Sequence, residues 1–172
     1  INLIMKKETF IIAELSANHN GDIKVAIESI RAAKRAGADA IKLQTYTADT
    51  LTIDCKNDYF KINHGTAWDG EYLYDLYNRA YTPWDWHSEL FRVANEEGII
   101  CFSSPFDNSA VDLLEELKTP IYKIASFEIQ DIPLISYAAS KMKPMILSTG
   151  IAEIEDIELA IETCKKAGNN DI

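Results

Sequence analysis

The sequence has no surplus of positive charge. Its 17 lysines and arginines are outnumbered by 27 aspartates and glutamates, which gives a formal net charge of −10. We therefore expect no nucleic-acid partner and no anionic membrane partner, because both require a basic surface. Because the net charge is negative, an anionic substrate would need cationic side chains placed locally at its site. Each lysine inside a predicted strand is therefore a candidate for such a site.

Long apolar runs and closely spaced cysteines are also missing. No apolar stretch approaches the roughly 20 residues that span a bilayer, and the first residues lack the charged-then-apolar order of a signal peptide. The three cysteines, Cys55, Cys101 and Cys164, are far apart and have no metal-ligand spacing. We expect Cys101 and Cys164 to be buried and the protein to be cytoplasmic. Residues 1–8 are assigned to an N-terminal extension.

Motifs of several common enzyme classes do not occur either. The sequence contains no glycine-rich phosphate loop of known spacing, no GxSxG elbow and no HExxH helix. The three histidines have no partners at metal-ligand spacing, so no metal ligands are assigned. We expect His19 to shape a turn or to reach a cavity edge, and His87 to be solvated in the first turns of a helix. His64 is left open.

The sequence does contain five successive units in which a short β-rich run precedes an amphipathic helix. This alternation predicts parallel strands with right-handed crossovers, in an open doubly wound sheet or a barrel. Polar residues end nearly every strand, which favours the barrel, because barrel active sites gather groups from many strand ends. These residues are Glu14, Gln44, Ser104, Ser126 and Thr149.

The predicted fold class is α/β, a partial (β/α)₈ TIM barrel. Such a barrel needs eight strands and about 250 residues, whereas this sequence supplies the first five β/α units. Residues 9–172 are interpreted as a catalytic barrel domain that stops before closure. Segment 47–81, rich in tyrosine and tryptophan and with a short predicted helix at 73–80, interrupts the spacing. It either packs on the barrel rim or covers a substrate.

Two lysines lie within predicted strands, Lys42 in AIKLQTY and Lys123 in IYKIAS. A lysine in a strand buried on both faces is costly unless an anion or a carboxylate pairs with it. A structural ion pair with Glu14 would satisfy either lysine. Two lysines on different strands, each near the carboxyl end, favour a site for phosphate or carboxylate.

The other strand-end groups allow a structural and a functional interpretation. Glu14 either pairs with a lysine or binds sugar hydroxyls and assists proton transfer. Ser103, Ser104 and Ser126 either cap the following helices or hold anion oxygens, and capping is the simpler reading. Thr82, followed by proline, is the predicted N-cap of the helix that ends near residue 98.

Read together, five strand-end segments resemble the catalytic barrel of the sialic acid synthase family. The segments are AELSANHNG (13–21), IKLQTY (41–46), FSSPFD (102–107), YKIASFEI (122–129) and ILSTG (146–150). Residues 65–87 are most similar to the pseudaminic acid synthase branch of that family.

The resemblance implies an enzyme that joins phosphoenolpyruvate to an N-acetylated amino-sugar aldehyde with release of phosphate. It implies a divalent metal, Mn²⁺ or Mg²⁺, and a homodimer for the full-length enzyme. By motif position, Glu14 and Lys123 are assigned as catalytic residues. The positions implied to bind substrate are Lys42, Gln44, Ser104 and Ser126.

The family's metal-binding histidines and its antifreeze-like domain lie beyond the matched segment. The fragment itself is therefore expected to be inactive, with exposed edge strands. Two alternatives remain open from the residues: a Schiff-base aldolase with Lys123 as nucleophile, and a non-catalytic truncated domain.

Overall fold

The computed structural model describes residues 9–172, and the predicted extension over residues 1–8 lies outside them. Five parallel strands form one curled sheet in chain order, β1-β2-β3-β4-β5. A doubly wound sheet would reverse its strand order at a switch point, and this sheet does not, so the half-barrel prediction is confirmed. The strands are β1 Ile12–Glu14, β2 Ala40–Thr45, β3 Ile100–Pro105, β4 Tyr122–Ile124 and β5 Met145–Leu147.

Helices connect the strands and cover their outer face. Asp22, Asp107 and Asp131 cap three of them, each accepting backbone N–H groups of the first turn. Gly98 ends the fourth helix in the left-handed conformation, with φ of 66°. The helices are α1 Ile23–Arg35, α2 Ala48–Leu51, α3 Leu73–Ala80, α4 His87–Glu97, α5 Asn108–Glu116, α6 Ile132–Ala139 and α7 Ile154–Lys166.

The strand side chains alternate between two apolar environments. Those pointing outwards, such as Leu43 and Ile124, pack with the helices in two large buried clusters. Those pointing inwards near the amino ends, Ala40, Phe102 and Ile121, form a smaller cluster on the concave side. This inner apolar floor lies beneath the polar strand ends, as the layered interior of a barrel requires.

The predictions for the cysteines are confirmed, whereas those for Thr82 and His87, at the start of α4, are wrong. Cys101 and Cys164 are buried and free, as expected. Thr82 does not cap α4, because a 3₁₀ turn at Trp84–Trp86 precedes the helix and the Thr82 hydroxyl bonds His19 instead. His87 is not solvated: it is fully buried and its ring bonds the end of β2.

The segment 47–81 follows β2 and therefore lies at the carboxyl end of the sheet. Its helix α3 spans the predicted residues, and the two ends of the segment meet where Trp84 Nε1 donates to the carbonyl of Tyr46 at 3.1 Å. Tyr77 of α3 packs edge-on against the Tyr46 ring. Among the helices of residues 9–172, none has the length and apolarity needed to cross a bilayer.

Candidate active site at the carboxyl ends of the strands

Strand register places five of the six predicted site residues, all except Ser126, in two adjacent rows of the concave face. Glu14 of β1 is level with Lys42 of β2, and Gln44 of β2 is level with Ser104 of β3. Ser103 is level with Tyr122, so the next residues, Ser104 and Lys123, are also neighbours. Residues level with each other in parallel strands point to the same side. The polar groups of four strands therefore share one wall.

Lys42 forms the salt bridge that the sequence allowed. Its Nζ lies 2.6 Å from Glu14 Oε1, and its side chain is 9% exposed, whereas that of Glu14 is 49% exposed. The pair is thus buried at its cationic end and open at its anionic end. A ligand that reaches Lys42 would meet the Glu14 carboxylate beside it.

Lys123 has a different environment. Burial lowers the pKa of Lys123, and the positive charge of Lys42 lowers it further, while Glu14 and Glu128 act in the opposite direction. The strand register places both lysines on the concave face, Lys42 on β2 and Lys123 on β4, with β3 between them. Two like charges held together in a partly buried wall favour a dianionic ligand between them.

The hydroxyl and amide groups of the wall have unequal partners. Ser104 Oγ is buried and has no hydrogen-bond partner among residues 9–172. Gln44 Oε1 accepts a hydrogen bond from the hydroxyl of Ser16 at 2.8 Å. Capping is wrong for Ser104, because Asp107 caps α5. The unpaired Ser104 hydroxyl is available to a ligand.

Ser126 is the first residue of a 3₁₀ turn that follows β4, and its Oγ accepts the backbone N–H of Ile151. The contact joins the loop after β4 to the loop after β5. Gly150 permits this approach, because a Cβ at that position would lie 3.1 Å from Ser126 Oγ.

Glu128 belongs to the site, although the sequence prediction did not single it out. Its Oε2 is buried without a hydrogen-bond partner among the described residues. Burial raises the pKa of Glu128, and the charge of Lys123 offsets this only in part. The signal available in the sequence was its position, two residues after Ser126 within YKIASFEI. A carboxyl group of raised pKa beside a lysine can hold or release a proton.

A cavity of about 730 Å³ opens between the loop after β1 and the aromatic segment. Asn18, Tyr46, Trp68, Tyr77 and Arg79 are among its lining residues. Burial raises the pKa of Tyr77, and the negative charge of Glu128 raises it further. Because Asn18 follows β1 and Tyr46 directly follows β2, the cavity opens at the same carboxyl end of the sheet as the charged wall.

A divalent metal does not fit the described residues. Within residues 9–172, no group of three His, Cys, Asp or Glu side chains could hold a metal ion. His19 is buried, accepts the N–H of Gly21 at Nδ1 and bonds Thr82 at Nε2. Both ring nitrogens of His87 are also hydrogen-bonded, Nε2 with the Thr45 hydroxyl and Nδ1 with the carbonyl oxygen of Pro83.

Comparison with known proteins identifies the family of this chain. The NeuB family model matches residues 29–172. The chain is 52% identical over 162 residues to the pseudaminic acid synthase of Helicobacter pylori, covering 94% of this chain and 47% of that protein. It is 48% identical over 171 residues to the pseudaminic acid synthase of Campylobacter jejuni, covering 99% of this chain and 50% of that protein.

A solved structure confirms the fold. The N-acetylneuraminic acid synthetase of Leptospira borgpetersenii superimposes with a TM-score of 0.79 and 31% identity, covering 95% of this chain and 52% of that one. The chain spans about half the length of the curated relatives it matches. The chain belongs to the NeuB family, as the five strand-end segments predicted.

Proposed function

We propose that the full-length protein is a sialic-acid-type synthase that condenses phosphoenolpyruvate with an N-acetylated amino-sugar aldehyde. The product is a nine-carbon 2-keto acid, and identity to the pseudaminic acid synthases favours pseudaminic acid. The observation that carries the proposal is that Lys42 of β2 and Lys123 of β4 face the same concave wall. This pair, with the unpartnered Ser104 hydroxyl beside it, suits a small dianion.

The wall would hold phosphoenolpyruvate by its two anionic ends. Lys42 and Lys123 supply charge, and Ser104 and Ser126 supply hydroxyl groups to carboxylate or phosphate oxygens. The C2–C3 double bond of phosphoenolpyruvate then supplies the electron pair for a bond between C3 and the aldehyde carbon, which leaves a cation at C2, and the aldehyde oxygen takes a proton and becomes a hydroxyl group. Water adds at C2, and the C2–O bond to phosphate breaks to leave the 2-keto acid and inorganic phosphate.

Proton transfers in this scheme fall to the two carboxyl groups near the lysines. Glu14 forms a salt bridge with Lys42, and its exposed carboxylate can accept a proton from water or a sugar hydroxyl. Glu128, with its raised pKa, is the better donor to the aldehyde oxygen. One carboxyl group paired with a lysine and a second one held by burial are a common arrangement for base and acid roles.

The acceptor sugar would extend from the wall into the adjoining cavity. The cavity borders Tyr77 and contains the amide group of Asn18, while Arg79 is paired with Glu71. A space with aromatic walls, amide groups and little free charge suits acetamido groups and a methyl group better than it suits an anion. This favours a substrate-covering role for the aromatic segment.

The remaining properties of the whole protein follow from the family resemblance. We infer a cytoplasmic homodimer that uses Mn²⁺ or Mg²⁺, with the metal held by residues outside 9–172. All three cysteines are free, which suits a reducing compartment. The five units alone would be inactive, because the metal ligands and the other barrel strands are not among them.

The test is phosphate release from phosphoenolpyruvate by the full-length protein, with 2,4-diacetamido-2,4,6-trideoxy-L-altrose as acceptor. Lys123→Ala should lower kcat/KM by about 10²- to 10³-fold, because a desolvated charge-assisted contact is lost. The control is Lys24→Ala, an exposed lysine of α1, which should leave the rate unchanged. Equal rates in the two variants would reject the assignment.

A Schiff-base aldolase is the second candidate, and the lowered pKa of Lys123 favours it. Borohydride reduction in the presence of substrate separates the two reactions. A reduced adduct on Lys123 supports the aldolase, whereas metal-dependent turnover without an adduct supports the synthase.

A further inference from the structure

Behind the charged wall, a second polar system occupies the outer face of the same strands. Thr45 Oγ1 lies 2.9 Å from His87 Nε2 and 2.7 Å from Ser103 Oγ. His87 Nδ1 lies 3.2 Å from the carbonyl oxygen of Pro83. Thr45, Ser103 and His87 are each fully buried. The three side chains join the ends of β2 and β3 to the first residue of α4.

The direction of each hydrogen bond follows by elimination. The Pro83 carbonyl can only accept, so His87 Nδ1 carries the hydrogen. Burial lowers the pKa of His87, although backbone hydrogen bonds to Pro83, Gln44 and Trp84 act in the opposite direction, and this favours a neutral ring with Nε2 as the acceptor. Thr45 must then donate to Nε2, and Ser103 must donate to Thr45. The result is a single directed chain from Ser103 to Pro83.

This chain lies next to two residues of the wall. Thr45 follows Gln44, and Ser103 precedes Ser104, while Gln44 and Ser104 are level with each other in the β2–β3 pairing. Successive strand residues point to opposite faces, so fixing the outer side chains also fixes the backbone that carries the inner ones. Ser104 has no hydrogen-bond partner of its own within residues 9–172, so this backbone sets the position of its hydroxyl.

We propose that the Ser103–Thr45–His87 chain is a positioning device that holds the Ser104 hydroxyl and the Gln44 amide where phosphoenolpyruvate and the acceptor sugar bind. None of its members touches the substrate. The proposal rests on the proposed synthase function. Ligand-binding groups must be held to about 0.5 Å to act efficiently, and a buried, fully bonded outer network supplies that constraint.

The deciding comparison uses Thr45 and a matched threonine in the full-length protein. Thr45→Val removes the hydroxyl at nearly constant shape, and Thr45→Ser keeps it. The control is Thr119→Val: Thr119 is also fully buried, and its hydroxyl donates to the carbonyl of Ile121, at the amino end of β4 and away from the wall. Melting temperature and the KM for phosphoenolpyruvate are measured for all three variants.

Thr45→Val should raise the KM for phosphoenolpyruvate about tenfold, Thr45→Ser should restore it, and Thr119→Val should lower only the melting temperature. A rise in KM no larger for Thr45→Val than for Thr119→Val would overturn the proposal. If Thr45→Val does not fold, Ser103→Ala replaces it, since that variant removes only the first donor of the chain and should raise KM by severalfold.

A spectroscopic measurement tests the chain without any variant. Nitrogen-15 NMR of the histidine rings should show His87 with hydrogen on Nδ1, and hydrogen on Nε2 would contradict the directed chain. If the wild-type protein released no phosphate from phosphoenolpyruvate, the synthase function and the positioning role would both be rejected. Normal wild-type turnover with an unchanged KM in Thr45→Val rejects the positioning role alone.

Discussion

The polar side chains on the two faces of β2 and β3 differ in how completely they are hydrogen-bonded. On the outer face, Thr45 and Ser103 are fully hydrogen-bonded with His87. On the inner face, Ser104 Oγ has no partner anywhere in the described part of the chain. Alternate residues of the same strands form both faces, so strand propensity does not explain the difference. Because an unpaired buried polar group is costly, we infer that a ligand completes the inner face.

The strongest way to break this comparison is to remove an ion-paired lysine of the inner face and, as a control, an ion-paired lysine on the helix side of the sheet. Lys42 pairs with Glu14 in the wall, whereas Lys143, just before β5, pairs with Glu115 of α5. In the full-length protein, Lys42→Met should raise the KM for phosphoenolpyruvate about 100-fold, because a buried cation of the wall is lost. Lys143→Met should leave KM unchanged and lower the free energy of unfolding by about 1 kcal/mol. Similar effects on KM would show that the faces do not differ in role.

A second comparison concerns core residues on the two sides of the sheet. Phe102 lies in the inner floor, level with Lys42, and Leu114 lies in the outer core, and both are fully buried. Phe102→Ala should lower the free energy of unfolding by about 3–5 kcal/mol and Leu114→Ala by about 2–5 kcal/mol. Denaturant titration measures both losses. We also expect a raised KM for phosphoenolpyruvate in Phe102→Ala alone, since the floor supports the lysine wall.

The pH dependence of binding should sharpen the distinction between the two inner lysines. The pKa of Lys123 is lowered by burial and by Lys42, and only the protonated form attracts an anion. The affinity for phosphoenolpyruvate should therefore fall as the pH rises through this lowered pKa, below the usual range for lysine. Calorimetric titration between pH 7 and pH 10 measures the fall. Lys123→Arg should flatten this profile, because arginine stays charged. A profile unchanged by the substitution would assign the titration to another group.

Much of the inner wall could be predicted from the sequence, because its geometry is that of regular strands. The two-residue alternation places Lys42 and Gln44 on one face, and parallel order brings the strand ends to one edge. The outer system could not be predicted this way. Thr82 and His87 carry local signals of a capped, solvated helix start, whereas Thr82 bonds His19, 63 residues away. Long-range side-chain packing overrides such local signals.

Glu128 was missed for a related reason, and it provides the smallest predicted effect. The strand was expected to continue to Ser126, but a 3₁₀ turn over Ser126–Glu128 buries the carboxyl group instead. Burial raises its folded-state pKa, so its contribution to stability is fully present only below the unfolded pKa and is lost as the pH rises through the folded value.

At neutral pH the carboxyl group of Glu128 therefore ionises less readily in the folded protein than in the unfolded chain, which destabilises the ligand-free protein. Glu128→Gln should raise the melting temperature slightly at pH 7 and leave it unchanged near pH 4, where the native carboxyl group is already neutral. Glu116→Gln, an exposed carboxylate at the end of α5, is the control and should show no such pH dependence. Differential scanning calorimetry at the two pH values measures the change. Equal behaviour of the two variants would place Glu128 among ordinary surface carboxylates, and the inner face would then owe its character to the two lysines and Ser104.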